Sequence, residues 1–141
     1  MLKHATTDKE IARCFAVMAE LRTHLQAESF VNLVRDQEKE GYCLAYIEHG
    51  NDIVAVAGYR ISTNLFLGKN LYVDDLVTAE RVRSQGFGEK LLSGLRDIAI
   101  KNGCAHLHLD SGTQRKQAHK FYFRQGMVVS SFHFDEKLSD D

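Results

Sequence analysis

Leu71–Leu92 reads LYVDDLVTAERVRSQGFGEKLL, and the reading of the whole fold turns on this stretch. Leu71–Thr78 is rich in β-formers and predicts a strand. Phe87, Leu91, Leu95 and Ile98 then recur at three- and four-residue steps, and Asn102-Gly103 ends the helix they predict. Between strand and helix lies the short loop Arg83-Ser84-Gln85-Gly86-Phe87-Gly88. A helix start leaves its first N–H groups unpaired, and the macrodipole adds partial positive charge there. Gly86 and Gly88 carry no Cβ, so a phosphate can approach the backbone closely, and Arg83 with Arg81 adds charge beside it. Two other phosphate motifs are excluded. Leu91 stands where G-x-G-x-x-G needs its third glycine, and no G-x-x-x-x-G-K-[ST] occurs. Taken alone, a glycine pair at a helix start is weak evidence of any ligand.

The flanking sequence extends the pattern in both directions. Thr7-Asp8-Lys9-Glu10 has the form of a capping box, and Ile11, Phe15, Met18, Leu21 and Leu25 give the following helix one apolar face. A second helix is predicted over Glu28–Glu40, closed by Gly41. Tyr42–Glu48 and Ile53–Ile61 predict a β-hairpin around His49-Gly50-Asn51-Asp52, and Thr63–Asn70 reads as a loop. Downstream come a short strand at His106–Asp110, a helix at Arg115–Gln125 closed by Gly126, and a last strand at Val128–Phe134. A mainly antiparallel run followed by a β-α-β-α-β tail predicts an α/β sheet with helices on both faces.

Composition excludes several classes of function. The 141 residues suit a single domain, 1–141, large enough to hold a core unaided. Eighteen basic and 19 acidic residues leave a net charge of −1, which gives no case for nucleic acid or an anionic membrane as partner. No apolar run approaches the ~20 residues of a membrane helix, and the N-terminus lacks a signal-peptide core. The three cysteines, Cys14, Cys43 and Cys104, are widely spaced and show no zinc-type pattern. They suit a reducing cytoplasm.

The surroundings of the loop give it meaning. Arg83-x-x-Gly86-x-Gly88 resembles the R/Q-x-x-G-x-G/A pyrophosphate loop of the GNAT superfamily, the acetyl-CoA-dependent N-acetyltransferases. The likeness includes the acidic strand YVDDLVT, the strand AHLHLDSG, and the helix AHKFYFRQGM, which is similar to the family's A-x-x-F-Y-x-x-x-G-F segment. These elements span Leu71–Met127 in the family's order; the N-terminal half matches in element order alone. The resemblance implies a mixed, mostly antiparallel central sheet of about six to seven strands flanked by about four helices. The chain departs from the family pattern at Thr78-Ala79-Glu80, where many relatives carry Pro, and at Met127, where Phe is usual.

The resemblance also implies roles. Arg83, Ser84, Gln85, Gly86, Phe87 and Gly88 would cradle the pyrophosphate of acetyl-CoA, the co-substrate. The backbone of Val77 would pair with the pantetheine arm, and the thioester would sit where two central strands splay apart. Arg115 stands where relatives carry an Asn that holds CoA, and it would meet a CoA phosphate instead. Tyr122 matches the tyrosine that protonates the departing thiolate, and a main-chain N–H near Val77 would stabilise the oxyanion. Asp74 and Asp75 are the candidate bases for the attacking amine, directly or through water. Adjacent strand residues face opposite ways, so one of the two, Asp75 by its position, is expected at the site. A backbone-bonded carboxylate or a substrate-ammonium contact are the other readings of that acid.

No metal is expected. His106-x-His108-x-Asp110 shares one strand face but lacks a fourth ligand, so hydrogen-bonded histidines are the favoured reading. His119 reads as a surface residue and Cys104 as packing. The basic helix residues Arg115, Lys116, Lys120 and Arg124 suit CoA phosphates or solvent. The leading expectation is therefore acetyl transfer from acetyl-CoA to a primary amine: a small molecule, an amino acid or a protein amine. A CoA-binding sensor or structural module without robust catalysis is the alternative, and a longer acyl donor would use the same fold and loop. Family members often dimerise, and Val128–Phe134 is apolar enough to serve a homodimer. Acceptor specificity is expected in the first two helices and in Thr63–Asn70.

Overall fold

Thr7 Oγ1 accepts a hydrogen bond from the Glu10 N–H at 3.1 Å, and Glu10 Oε1 accepts one from the Thr7 N–H at 3.0 Å. In this computed structural model, which describes residues 1–140, the capping box thus forms as its sequence predicts. Backbone N–H groups of Thr7 and Thr6 hold the Glu10 carboxyl down to about 2.

The chain divides into two compact units, Met1–Leu109 and Asp110–Asp141. The first holds β1 (Leu2–His4), α1 (Asp8–Leu21), α2 (Ala27–Glu38), β2 (Cys43–His49), β3 (Asp52–Asn64), β4 (Gly68–Thr78), a 3-10 turn (Glu80–Val82), α3 (Phe87–Lys101) and β5 (His106–Leu109). Its strands form one sheet in the order β1-β2-β3-β4-β5. All neighbours are antiparallel except β4 and β5, which run parallel. Ile53–Tyr59 of β3 are buried without a break, so both faces of the sheet are covered. α1 and α3 both pack on β3 and β4, and that burial requires them to lie on opposite faces.

Leu91, Leu92 and Leu95 of α3 are fully buried, each worth about 1.5–3 kcal/mol over an exposed position. Packing of this size outweighs helix propensity, and it fixes where the N-terminus of α3 sits. On the other face, Ile11, Cys14, Val17 and Met18 of α1 and Phe30 and Val34 of α2 are buried. Burial pushes the Cys14 thiol up to about 12, which leaves it an inert apolar filler.

The second unit holds α4 (Lys116–Arg124), and no helix or strand follows it among the described residues. Two sequence expectations fail. Among the described residues the sheet has five strands rather than six to seven, and Val128–Phe134 forms no strand. Its Val and Phe side chains have strand propensity, but propensity without a partner makes no ladder, and Val128, Val129, Phe132 and Phe134 stay exposed. Thr63–Asn70 is not a loop either: β3 runs to Asn64 and β4 begins at Gly68. Asn64 Oδ1 accepts the Leu67 N–H at 2.7 Å and closes a short turn there, so most of the segment keeps its pairing. No helix among the described residues is long and apolar enough to cross a membrane.

Candidate active site

The first component is the entry into α3. After β4, the Ala79 N–H bonds Val54 O at 2.8 Å, and the Glu80 N–H bonds Glu20 Oε1 at 2.8 Å. These bonds pin the start of the loop. Arg83 reaches back to Thr78 O at 3.4 Å, while Arg81 is committed to Ile53 O at 3.3 Å. Two left-handed residues then turn the chain: Ser84 at φ 70° and Gly86 at φ 87°. Ser84 is the one described non-glycine residue with positive φ, a conformation that costs of order 1–3 kcal/mol and clusters at ligand clamps. Gly86 is the N-cap of α3 and supplies no side-chain acceptor to the helix start. A Cβ built on Gly86 would meet nothing within 4 Å. The backbone there is open to a ligand, and unpaired N–H groups with a macrodipole suit an anion.

Phe87 plays a different part from its neighbours. Its ring is buried against His49 at 5.2 Å, with Lys90 over it at 5.4 Å, so its side chain anchors the helix start. Arg83, Ser84, Gln85 and Gly86 are exposed.

The second component is an opening in the sheet. β5 pairs with Asn70–Val73 of β4 and no further. From Asp74 on, β4 has no partner strand on that side among the described residues. Val77, paired with Val56 across β3, lies in this stretch.

The third component is a bulge with a cavity beneath it. Gly58 pairs with Asp75 and Tyr59 with Val73, leaving Asp74 as the extra residue of β4. The sequence expectation places one acid of the pair, Asp75, at the site; in the fold the two acids are not separated onto opposite sides. The bulge breaks the alternation, and Asp74 and Asp75 line the same cavity of about 520 Å³. Its walls come from the end of α1 (Met18, Arg22), the inner face of α2 (Phe30, Leu33, Val34, Gln37), and Tyr42, Arg60 and Tyr72 of the sheet region. Asp75 Oδ1 accepts from Arg22 Nε at 2.9 Å, and its Oδ2 accepts from the Tyr42 hydroxyl at 2.7 Å. Asp74 Oδ2 accepts from Arg60 Nε at 2.7 Å. Burial, then the Asp75 carboxylate, raise the Tyr42 phenol far above its ordinary range, so it donates to Asp75 at any physiological pH.

In the second unit, Arg115 is the N-cap of α4 and is exposed. Tyr122 lies half-buried on α4, edge-on to Phe121 with ring centroids 5.5 Å apart. Burial raises its phenol, and the Arg115 guanidinium pulls the other way. His119 is partly exposed, and its ring nitrogen bonds Gly112 O at 2.8 Å. In the first unit, His108 bonds Asn70 Oδ1 at 2.8 Å and His106 is exposed. Among the described residues, no three His, Cys, Asp or Glu side chains are grouped to hold a metal ion.

Thus the loop residues and Asp75 with Val77 lie in the first unit, while Tyr122 and Arg115 lie in the second. The sequence reading missed Arg22, Tyr42 and Arg60 around the acidic pair. One signal was available: Gly58 inside a β-rich run marks a bulge or a close approach.

Comparison with known proteins adds an independent line. The sequence model of the acetyltransferase (GNAT) family matches residues 8–127. An uncharacterised N-acetyltransferase of Bacillus subtilis is 36% identical over 135 residues, covering 94% of this chain and 95% of that protein. The aminoalkylphosphonate N-acetyltransferase of Salmonella typhimurium is 26% identical over 147 aligned positions, covering 97% and 90%. Among solved structures, AAC(6')-Iy in complex with a CoA-based bisubstrate analogue superposes with a TM-score of 0.84 at 9% identity, over 99% of this chain and 98% of that one. A family match running from α1 to the end of α4, together with a relative aligned nearly end to end, makes this chain a member of the GNAT family and an acetyltransferase.

Proposed function

We propose that the protein transfers the acetyl group of acetyl-CoA to a primary amine by direct attack, with residues 1–141 acting as one catalytic domain. The observation that carries this is the uncapped start of α3 at Gly86, reached through two left-handed residues and open to a ligand. The family membership supports the donor, as does the CoA-based ligand of the structural neighbour. Relatives named for N-acetylation support the amine.

In this reading, the N–H groups from Ser84 to Gly88 hold the pyrophosphate, Arg83, whose own N–H bonds Glu80 O at 3.2 Å, adds its charge beside them, and Arg115 meets a CoA phosphate. The Val77 backbone takes the pantetheine arm at the unpaired edge of β4. The amine nitrogen bonds to the thioester carbonyl carbon, and a main-chain N–H near Val77 stabilises the oxyanion. The C–S bond then breaks, and Tyr122 gives its proton to the thiolate. Each oxygen of Asp75 has two lone-pair sites and accepts one hydrogen bond, so the carboxylate can still receive the amine's proton, directly or through water.

A titration of melting temperature with acetyl-CoA tests the donor, with NADH and ATP as controls. Ligand at 100 times its dissociation constant adds about 2.7 kcal/mol, about 8–10 °C for a chain of this length. No shift at millimolar acetyl-CoA would remove the donor. Binding without thiol release in the presence of any amine would leave a CoA-binding module instead. A larger shift with longer acyl-CoA would reassign the acyl group.

Tyr122→Phe is expected to lower turnover by about 100-fold or more, the usual worth of a general acid. The acetyl-CoA dissociation constant should stay within about twofold, because the phenol acts on the leaving sulfur and not on the phosphates. Steady-state thiol release beside the melting titration reads both. An unchanged rate would take the acid role from Tyr122.

A further inference from the structure

The cavity under the β4 bulge holds two carboxylates and two guanidiniums, Asp74, Asp75, Arg22 and Arg60. Its formal charge is therefore balanced before any acceptor arrives. A lone ammonium entering it would leave one uncompensated positive charge, and a diamine would leave two. Charges removed from water must be paired, so a balanced cavity favours a guest that is itself balanced.

The four groups are not equally committed. Arg60 is used up: Nε bonds Asp74 Oδ2 at 2.7 Å, Nη1 bonds Glu40 O at 3.3 Å and Nη2 bonds Gln37 Oε1 at 2.8 Å. Its guanidinium also lies over the Tyr42 ring at 5.5 Å. Arg22 spends Nε on Asp75 and Nη2 on Asp74 O at 2.8 Å, and Nη1 takes no protein acceptor among the described residues. Its side chain is 43% exposed. Asp74 Oδ1 likewise has no protein donor among the described residues. One open acceptor and one open guanidinium edge thus belong to residues lining the same cavity, the first suited to an ammonium and the second to an anionic group. Met18, Phe30, Leu33 and Val34 add apolar lining to the same cavity, and about 520 Å³ accommodates a hydrocarbon body as well.

We propose that the acceptor is a zwitterion, a primary amine that also carries an acidic group, in the chemical class of amino acids and aminoalkyl acids. Arg22 is the residue that selects for the acid. The ammonium sits against Asp74 and Asp75 before it loses its proton, and the acid bonds Arg22 Nη1. This deepens the acetyl-transfer reading, on which it rests for the identity of the cavity as the acceptor site.

The test is calorimetric titration of the unliganded protein, which needs no turnover. Aminoalkyl carboxylates and phosphonates of increasing chain length are each compared with the alkylamine and the diamine of the same length. The acid-bearing member should bind about tenfold or more tightly, the worth of a charge-assisted hydrogen bond. Which of carboxylate and phosphonate binds better identifies the acid. In Arg22→Gln the ratio between matched partners should fall to near one; should that variant not fold, Arg22→Lys should reduce the ratio while keeping the charge. Alkylamines or diamines binding as tightly as their acid-bearing partners would overturn the proposal, as would a ratio that survives Arg22→Gln in folded protein. The two readings fail separately. Zwitterions that bind as expected but release no thiol with acetyl-CoA would sink the transferase and leave the zwitterion site. Thiol release that is equal for simple amines would do the reverse.

Discussion

Gly86→Asp is expected to weaken acetyl-CoA binding by about 100-fold or more while the protein stays folded. The stability side is small. A non-glycine residue in the left-handed region costs about 1–2 kcal/mol, and Asp is among the residues that tolerate it best. The new Cβ meets nothing within 4 Å, so no clash is added. A carboxylate at a helix N-terminus returns about 0.3–1 kcal/mol through the macrodipole. The net is a loss of about 1 kcal/mol, a few degrees in melting temperature. The ligand side is large. Two unit charges about 4 Å apart repel by about 4 kcal/mol near a protein surface, and screening of this exposed loop takes away a part. The remaining 2–3 kcal/mol corresponds to about 100-fold in affinity. Gly86→Ala separates the causes, since it carries the backbone strain without the charge and should lose less than about tenfold. Undiminished affinity in Gly86→Asp would refute the loop assignment, and equal losses in the two variants would point to strain in place of charge.

The sequence made this region legible for a physical reason. A strand, a glycine-bearing turn and an amphipathic helix are local patterns, and each leaves a mark within a few residues: the Thr7–Glu10 box, the Leu91/Leu95 stripe, Gly86 at the cap. The cavity was not legible, because its charges meet through tertiary pairing. Arg22 and Asp75 are 53 positions apart, and Tyr42 and Asp75 are 33. The face of Asp74 was misread for the same reason. Strand alternation is a local rule, whereas a bulge is decided by register against the neighbouring strand, here between Gly58 and Tyr59. Val128–Phe134 failed in the opposite way: a correct local preference found no ladder to join.

Gly58→Ala is expected to lower stability by about 3 kcal/mol and to disturb the acceptor side of the site more than the donor side. A Cβ on Gly58 would fall on the hydroxyl and the ring end of Tyr42. Tyr42 is 4% exposed, with Arg60 lying over its ring, so it has little room to yield. Overfilling a packed site costs about 1–3 kcal/mol. Displacing the Tyr42 hydroxyl also breaks its bond to the Asp75 carboxylate, a charge-assisted bond of about 1.5–3 kcal/mol. The two losses overlap, and the reduced freedom of Ala in the unfolded chain returns about 0.4–1 kcal/mol. A fall of about 10 °C in melting temperature follows. Because Gly58 faces Asp75 across the strand pair, the Michaelis constant for the amine should rise while the acetyl-CoA dissociation constant barely moves. Tyr42→Leu removes the obstructing hydroxyl and ring, so adding Gly58→Ala to it should cost little more than Tyr42→Leu alone, the non-additivity expected of groups in contact. A Gly58→Ala protein that melts within a degree of wild type would mean that Tyr42 moves aside cheaply, and that the position of its hydroxyl on Asp75 is not what this glycine preserves.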